Sequence, residues 1–457
     1  MTTSYDVRFW DTRRNASSKK PSYEARWKVG GKAKSKTFRT KALADNFLSD
    51  LRQAAKVGEA FDVVTGLPLS MLAAENSKPV GPTFLEFVQS YLMSRWRSTA
   101  ARTRETDAYA MLSLVPALVA DLPSRPSDSE IRDVLRSHAL LPEGRRADLT
   151  NRQAVTLRWL EKASLPMSDL REARLLRIAL DAIAETFAGK VAGANTVRRK
   201  RAVFHHLLEQ AVEQKLFVSN PLDEIKWTAP KAVTAVDPRT VVNPAQAREL
   251  LDAVSMVGRK RGPRLKALFA CMYYAALRPE EASDLRVKNC TLPRAGWGLI
   301  ILEMARPQST KRWTNTGETH EPRSLKHRAV KETREIPIPP ALVDVLRTHV
   351  EEYGTADDGR LFRTSSGGSY SSSAHSRVWQ EARKLALTPT QAASPLAARP
   401  YDLRHAAVSL WLNAGVSPAE VAKRAGHSVD VLLRVYAKCM DGQQDSINGK
   451  INEALGA

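Results

Sequence analysis

Tyr436, His427, Arg404, His405 and Arg278 are the residues of this 457-residue chain whose types suit one chemistry. Tyr436 stands nine positions after His427 in the run Gly426-His427-Ser428-Val429-Asp430-Val431-Leu432-Leu433-Arg434-Val435-Tyr436, shortly after Tyr401-Asp402-Leu403-Arg404-His405. A phenol is a poor nucleophile at neutral pH. A phosphodiester under attack gathers negative charge on its non-bridging oxygens, so fixed arginine and histidine donors are needed to stabilise it. An arginine, an imidazole and a phenol in one short region therefore suit phosphodiester chemistry. Upstream, Ala276-Leu277-Arg278-Pro279-Glu280-Glu281-Ala282 follows an apolar stretch. Pro279 and the two glutamates make a favourable first helical turn without any site. Arg278 is different, because a charge beside so apolar a helix requires a partner. Lys326 and Lys331 lie in a basic loop from which an ammonium can reach a phosphate or a leaving oxygen. Taken singly, such lysines are solvated charges and a His–Tyr pair at this spacing is coincidence. Asp402 reads equally well as a helix N-cap.

The elements that must position these groups fall into three parts. At the N-terminus Tyr5, Val7 and Phe9, then Tyr23, Ala25, Trp27 and Val29, alternate apolar with polar residues ahead of Gly30-Gly31, and Thr37-Phe38 opens a further strand. From Thr40 onward Ala42, Phe47 and Leu51 recur at helical spacing, so residues 1–65 predict a three-stranded sheet crossed by one helix. Twelve Lys or Arg up to Lys41 oppose only Asp6, Asp11 and Glu24. A basic sheet of this kind is a groove reader, with Arg26, Lys28, Lys34 and Lys36 as candidate DNA contacts; the competing reading is a solvated basic surface. Residues 66–82, rich in Gly, Pro and Ser, read as a linker. Residues 83–228 read as all helical. The last helix of that part has Asn195 as candidate N-cap and carries Arg198, Arg199, Lys200 and Arg201, which either meet phosphate or form a solvated face opposing the helix dipole. A second linker spans 229–243. From 244 to the end, helices surround two short strand-like runs, 299–302 and 334–338, which flank a basic segment too long for a tight hairpin. The fold class expected is thus α+β and multidomain: a small sheet plus helix, an all-helical middle, and a mainly helical third domain with a small antiparallel sheet.

Composition narrows the partner. A net charge of +21, from 70 Lys+Arg against 49 Asp+Glu, favours a polyanion, most simply double-stranded DNA, over an anionic membrane surface. No apolar run is long enough to span a bilayer and the polar start lacks a signal core, so a cytoplasmic protein is expected. Cys271, Cys290 and Cys439 are odd in number and far apart, which predicts reduced structural thiols and no clustered metal site. No phosphate-cradling Gly-x-x-x-x-Gly-Lys-Ser/Thr loop is present either, so no cofactor is expected.

Taken jointly, Arg278, a loop lysine, Arg404, His427 and Tyr436 in this order resemble the tyrosine recombinases, the phage integrases in particular. Leu277-Arg278-Pro279-Glu280-Glu281 matches the family's Leu-Arg-x-x-Glu motif. His427 follows Arg404 by 23 positions and precedes Tyr436 by nine, as in the family. Segments such as Leu325-Lys326-His327-Arg328 and Arg399-Pro400-Tyr401-Asp402-Leu403-Arg404-His405 look like integrases of actinobacterial phages and integrative elements. Two positions depart from the pattern. The histidine of His-x-x-Arg is Tyr401 here, which keeps a hydroxyl but cannot carry an imidazolium charge. The family lysine lies eight or nine residues before the proline ending the second strand; Lys326 stands eleven before Pro337 and Lys331 six, and Lys326 is preferred.

The resemblance implies an arm-type DNA-binding domain (1–65), a helical core-binding domain (83–228) and a catalytic domain (244–457). It implies that Tyr436 attacks the scissile phosphodiester to give a 3′-phosphotyrosyl bond and a free 5′-hydroxyl. Arg278 and Arg404 would clamp the non-bridging oxygens, His427 would donate to the same phosphate, and the lysine would protonate the leaving oxygen. Glu281 would buttress the arginines, and His405 would support the site or act as a weak acid–base group. A homo-tetramer on paired DNA sites, joined through the C-terminal tail with its Ile447, Ile451 and Leu455 stripe, is implied too, with a possible excision or DNA-bending accessory protein. The rival readings are a type IB topoisomerase, which relaxes DNA without exchanging partners, and a non-catalytic DNA-binding protein of the same fold.

Overall fold

The computed structural model describes residues 2–15, 22–76, 81–326, 332–439 and 444–455, and the chain divides into two compact units, 1–84 with 165–172, and 85–164 with 173–457.

In the first unit, strands Ser22–Val29 and Lys32–Phe38 form a hairpin closed by Gly30 and Gly31, both at positive φ. Two successive left-handed residues are what a two-residue turn between twisted strands demands, and glycine takes that conformation without steric cost. Val7–Phe9 and Arg13–Asn15 lie end to end along the other edge of Ser22–Val29, so the sheet is three-stranded with a broken outer strand. The third strand ends at Thr37-Phe38 instead of opening there, because Lys32 to Lys36 is mostly exposed and carries no apolar alternation. Helix Lys41–Lys56, capped by the Thr40 hydroxyl, packs Ala44, Leu48 and Leu51 in one core with Ala25, Trp27 and Val29 of the sheet. The stretch expected as a linker contains a helix, Leu69–Asn76, too short for a helical period to stand out in the sequence.

In the second unit, helices Ala101–Ala117, Asp128–Val134, Asn151–Ala163, Ala173–Ala184 and Ala194–Glu213 form the middle of the chain. Capping boxes at Ser127/Glu130 and Thr150/Gln153 start two of them by satisfying orphan backbone donors. The Ala194–Glu213 helix begins after Gly193, so Asn195 lies inside it and is not its cap. Toward the C-terminus, helices Pro244–Met256, Arg261–Tyr274, Pro340–Tyr353 and Ser372–Ala386 bury Leu250, Leu268, Phe269, Leu346 and Trp379 in one core. A three-stranded antiparallel sheet, Cys290–Thr291, Gly298–Leu302 and Arg334–Ile338, borders it. A second apolar cluster, including Ala407, Val408, Leu412, Val421, Ala425, Leu432 and Tyr436, holds helices Asp402–Asn413, Pro418–Ala425 and Val429–Tyr436 together. The tail forms helix Gln444–Leu455 with Leu455 exposed; the side chains of Ile447 and Ile451 lie outside the described residues.

The basic segment after Ala305 is a strap. Strand Met304–Ala305 pairs with Arg323–Ser324, and between them Trp313 is buried and Arg104, from the middle helices, donates to Trp313 O at 2.8 Å and Asn315 Oδ1 at 2.9 Å. Thr310 donates to Glu105 at 2.6 Å, Arg312 to Arg136 O at 2.8 Å, and the Trp96 and Trp313 rings lie 6.0 Å apart. Its length is explained by this reach. Among the described residues no helix is long and apolar enough to cross a membrane.

Candidate active site

The helix Arg261–Tyr274 ends in a turn where Ala276 takes a positive φ, and Arg278 then stands as the N-cap of helix Pro279–Asp284. The cap runs one way, from Arg278 to Glu281. The Arg278 backbone N–H donates to Glu281 Oε2 at 2.9 Å and its guanidinium Nη1 to Glu281 Oε1 at 2.7 Å, so one carboxylate both starts the helix and aims the arginine. Arg334 clamps the same carboxylate through two parallel bonds of 2.9 and 2.7 Å, with both side chains almost fully buried. Such forks are the strongest ion-pair geometry available to arginine. Burial opposes ionisation of Glu281, but the charge and hydrogen bonds of Arg334, then Arg278 and Arg404, overcome it and hold the carboxyl down to about 2. Arg334 was not anticipated. The signal was there, since Arg334, Ile336 and Ile338 alternate onto the buried face of their strand, and a charge on that face needs a partner.

Arg278 Nη2 also donates to Gly426 O at 2.8 Å. Gly426 ends helix Pro418–Ala425 in the left-handed conformation, and a Cβ there would collide with the Arg334 guanidinium and lie 3.3 Å from Arg278 Nη1. This glycine therefore serves as a helix stop and as the space for two guanidinium groups. Arg404, fully buried on helix Asp402–Asn413, donates to Ala276 O and Ala425 O, and through Nη2 to His427 Nε2 at 2.8 Å. Arginine can only donate, so His427 Nε2 must be the acceptor and the ring is neutral with its proton on Nδ1. Burial, then the charges of Arg404, Arg278 and Arg334, push the His427 imidazole down to about 3, which agrees. His427 Nδ1 is buried and has no partner among the described residues, leaving a donor in need of an acceptor.

Tyr436, fully buried, closes helix Val429–Tyr436; its ring stacks 6.2 Å from His427 and its hydroxyl meets His405 Nδ1 at 2.9 Å. Burial pushes its phenol above the ordinary range. Tyr401 lies edge-on to His405 at 5.1 Å. Asp402 is not the N-cap, a place Tyr401 takes; it is the first residue of the helix and accepts from the Arg399 backbone N–H at 2.8 Å. The arrangement gathers a phenol, two imidazoles and two arginines at or near the ends of four helices, with donors fixed before any substrate arrives.

Residues 240–442, which contain every one of these groups, match the model described as the phage integrase family. This region is a phage integrase domain, the catalytic domain of a tyrosine-type recombinase. No curated protein matches the chain. Among solved structures, the chain is similar to the integrase of transposon Tn1549 in complex with circular intermediate DNA, at 16% identity over 71% of this chain and 98% of that one, with a TM-score of 0.45. It is also similar to a lambda integrase tetramer bound to a Holliday junction, at 13% identity over 92% and 95% of the two chains and a TM-score of 0.45. The XerH site-specific recombinase bound to difH is 12% identical over 80% and 94%, with a TM-score of 0.45.

Outside the phenol cluster of the integrase domain, Lys326 is exposed and follows the buried Leu325, and no described bond ties it to the site; Lys331, the alternative, lies outside the described residues. In the N-terminal sheet Lys36 is exposed and lies over the Phe47 ring at 4.8 Å, Lys34 donates to Val64 O at 2.6 Å, and Arg26 and Lys28 are half-buried. On helix Ala194–Glu213, Arg198 and Arg199 are exposed and Arg201 stacks on Trp227 at 4.7 Å. Lys200 is not a surface contact. It donates inward to Ser113 Oγ at 2.8 Å because it lies three residues after Val197 and four before Phe204, on the buried stripe of the helix. On the same helix His205, with Glu209 and Asp223, forms the group among the described residues that metal geometry would allow, and His205 is already paired with Asp223 at 2.9 Å.

Proposed function

We propose that the chain is a site-specific DNA recombinase that integrates or excises a phage or mobile element by cutting and rejoining strands through a 3′-phosphotyrosyl intermediate. The observation that carries this reading is the packing of the Tyr436 phenol beside His427 and Arg404, with Arg278 fixed by Glu281 and Gly426 in the same cluster. In the reaction Tyr436 Oη forms the bond to phosphorus as the bond to the 5′-oxygen breaks. The energy of the diester stays in the covalent intermediate, so the 5′-hydroxyl of a partner strand can reverse the step without a nucleotide cofactor. Arg278, Arg404 and His427 Nδ1 stabilise the charge on the non-bridging oxygens. Lys326 protonates the leaving oxygen. Residues 1–65 bind arm-type DNA, with Arg26, Lys28, Lys34 and Lys36 toward the duplex, and 83–228 bind core-type DNA through Arg198, Arg199 and Arg201. Four copies assemble on paired sites through the tail helix, in the cytoplasm, with an excision or DNA-bending protein setting direction.

The test is a nicked duplex taken from DNA adjoining the gene, incubated with protein and run on a denaturing gel. A covalent adduct formed by the native chain and lost in Tyr436→Phe is expected. An adduct that persists in Tyr436→Phe overturns the nucleophile assignment, and relaxation of plasmid DNA by single protein molecules without any paired site overturns recombination in favour of a topoisomerase.

A further inference from the structure

The phenol that attacks must lose its proton, and three polar groups surround it. His427 stacks on the ring, but its Nε2 lone pair is already taken by Arg404, and its Nδ1 is a donor. Tyr401 lies edge-on to His405 at 5.1 Å and near enough to act on Tyr436 electrostatically, but it offers a second phenol, which is a poor proton acceptor. His405 alone presents an acceptor to Tyr436, at 2.9 Å. Among the described residues this is the one hydrogen bond of the Tyr436 hydroxyl, and the tautomer with the imidazole proton on Nε2 lets the phenol donate to His405 Nδ1.

Resting on the recombinase reading above, we propose that His405 is the general base of the reaction and receives the Tyr436 proton on Nδ1. As Tyr436 Oη bonds to phosphorus, the phosphorus–5′-oxygen bond breaks, the phenolic proton passes to His405, and the 5′-oxygen takes a proton from an ammonium or from water. In rejoining, the 5′-hydroxyl attacks and gives its proton to the amine or hydroxide left by cleavage, the bond from phosphorus to Tyr436 Oη breaks, and the imidazolium returns its proton so that Tyr436 leaves as phenol. The sequence accounts for the exchange at position 401. His405 lies one helical turn after Tyr401 at the start of helix Asp402–Asn413, and the edge of the Tyr401 ring holds the imidazole facing Tyr436. Burial first, opposed by Asp402 and aided by Arg399 and Arg404, pushes His405 down to about 4; with Tyr401 and Tyr436 these are the titratable groups that face it, His427 lying behind the Tyr436 ring. A base so depressed is neutral throughout the physiological range, and its conjugate acid gives the proton back readily. Transfer accompanies bond formation to phosphorus instead of preceding it, when the growing phosphoryl charge stabilises the imidazolium.

The experiment follows single-turnover cleavage of the nicked duplex by full-length protein from pH 6 to pH 9. His405→Asn keeps an acceptor atom near the place of Nδ1 but cannot take up a proton. Cleavage by the native chain should be flat over this range. The variant should be slower by about 10²-fold or more, the usual worth of a general base, and its rate should rise about tenfold per pH unit as hydroxide replaces the missing base. His405→Ala, checked for native melting and DNA affinity, should recover at least about tenfold with added imidazole, as expected when a general base is resupplied. A His405→Asn rate within threefold of native with an unchanged profile overturns the proposal, and so does a slow variant with a flat profile and no rescue, which marks a positioning residue. Absence of any Tyr436-dependent adduct from the native chain overturns the recombinase reading itself.

Discussion

Replacing Glu281 by Gln should cost the integrase domain about 3 kcal/mol, and the number can be worked from the carboxylate's surroundings. Glu281 is 1% exposed and accepts from Arg334 twice, from Arg278 Nη1 and from the Arg278 backbone. Its carboxyl is held down to about 2 against an ordinary 4.5, a difference that converts to about 3 kcal/mol of stability. Breaking a buried pair from one side costs about 3–5 kcal/mol by comparison, because the other charge is stranded. Here the stranded group is Arg334, 3% exposed, which would face an amide in place of a carboxylate. The sign follows from the direction of the shift. A depressed carboxyl contributes stability that is complete above the unfolded value of 4.5 and is lost as the pH falls toward 2. Amide hydrogen exchange of peptides covering 265–285 and 421–436 measures this locally, without assuming that the whole chain unfolds in one step. At pH 7 Glu281→Gln should lower protection there by roughly two orders of magnitude, since about 1.4 kcal/mol is tenfold. The native chain should lose a similar amount between pH 4.5 and 2 while the variant changes little over that window. A loss below about tenfold at pH 7, or equal acid sensitivity in both proteins, would refute the assignment of Glu281 as the charge that holds Arg278 and Arg334.

Lys200→Met should leave DNA affinity and its salt dependence unchanged, whereas Arg198→Ala with Arg199→Ala should weaken binding and reduce the salt slope by about one for each phosphate no longer neutralised; filter binding at several salt concentrations decides. Gly426→Ala should impair cleavage while leaving DNA binding intact, because the new methyl group displaces the Arg334 guanidinium and strains a left-handed residue. Trp313→Ala should free the strap, and exchange in residues 306–323 and 101–117 should accelerate together, since removal of a buried tryptophan costs about 3–5 kcal/mol. Deleting residues 443–457 should reduce pairing of two sites, read by sedimentation, more than binding of one.

Much of the site was legible because its residues carry rare chemistry at fixed spacing. Arg278, Arg404, His427 and Tyr436 were named from the sequence, and the structure brings them together. What the sequence could not express is direction. Arg404 points its fork at the carbonyl oxygens of Ala276 and Ala425, and a backbone carbonyl has no signature in a residue string. The tautomer of His427 follows only from that geometry. Lys200 and Arg334 were misjudged or missed for the opposite reason. Both lie on apolar stripes, one of period 3.6 and one of period two, and the stripe outranks the charge when deciding which way a side chain faces. The third strand of the N-terminal sheet was expected but placed too late, because it is exposed along most of its length and pairing, not burial, defines it.

The strap between Met304–Ala305 and Arg323–Ser324 has a bearing on how the chain comes to be folded. Arg104 and its partner Trp313 are 209 positions apart, against the 87 that separate Ser113 from Lys200 where the middle helices pack on one another. During synthesis those helices can assemble on one another before the strap has been made, so the clamp is a late event whose loop-closure entropy falls due only at the end. Interactions formed last and over the greatest separation are also among the easiest to release without unfolding what they join. A nascent copy thus carries a helical segment that can fold before it is fastened.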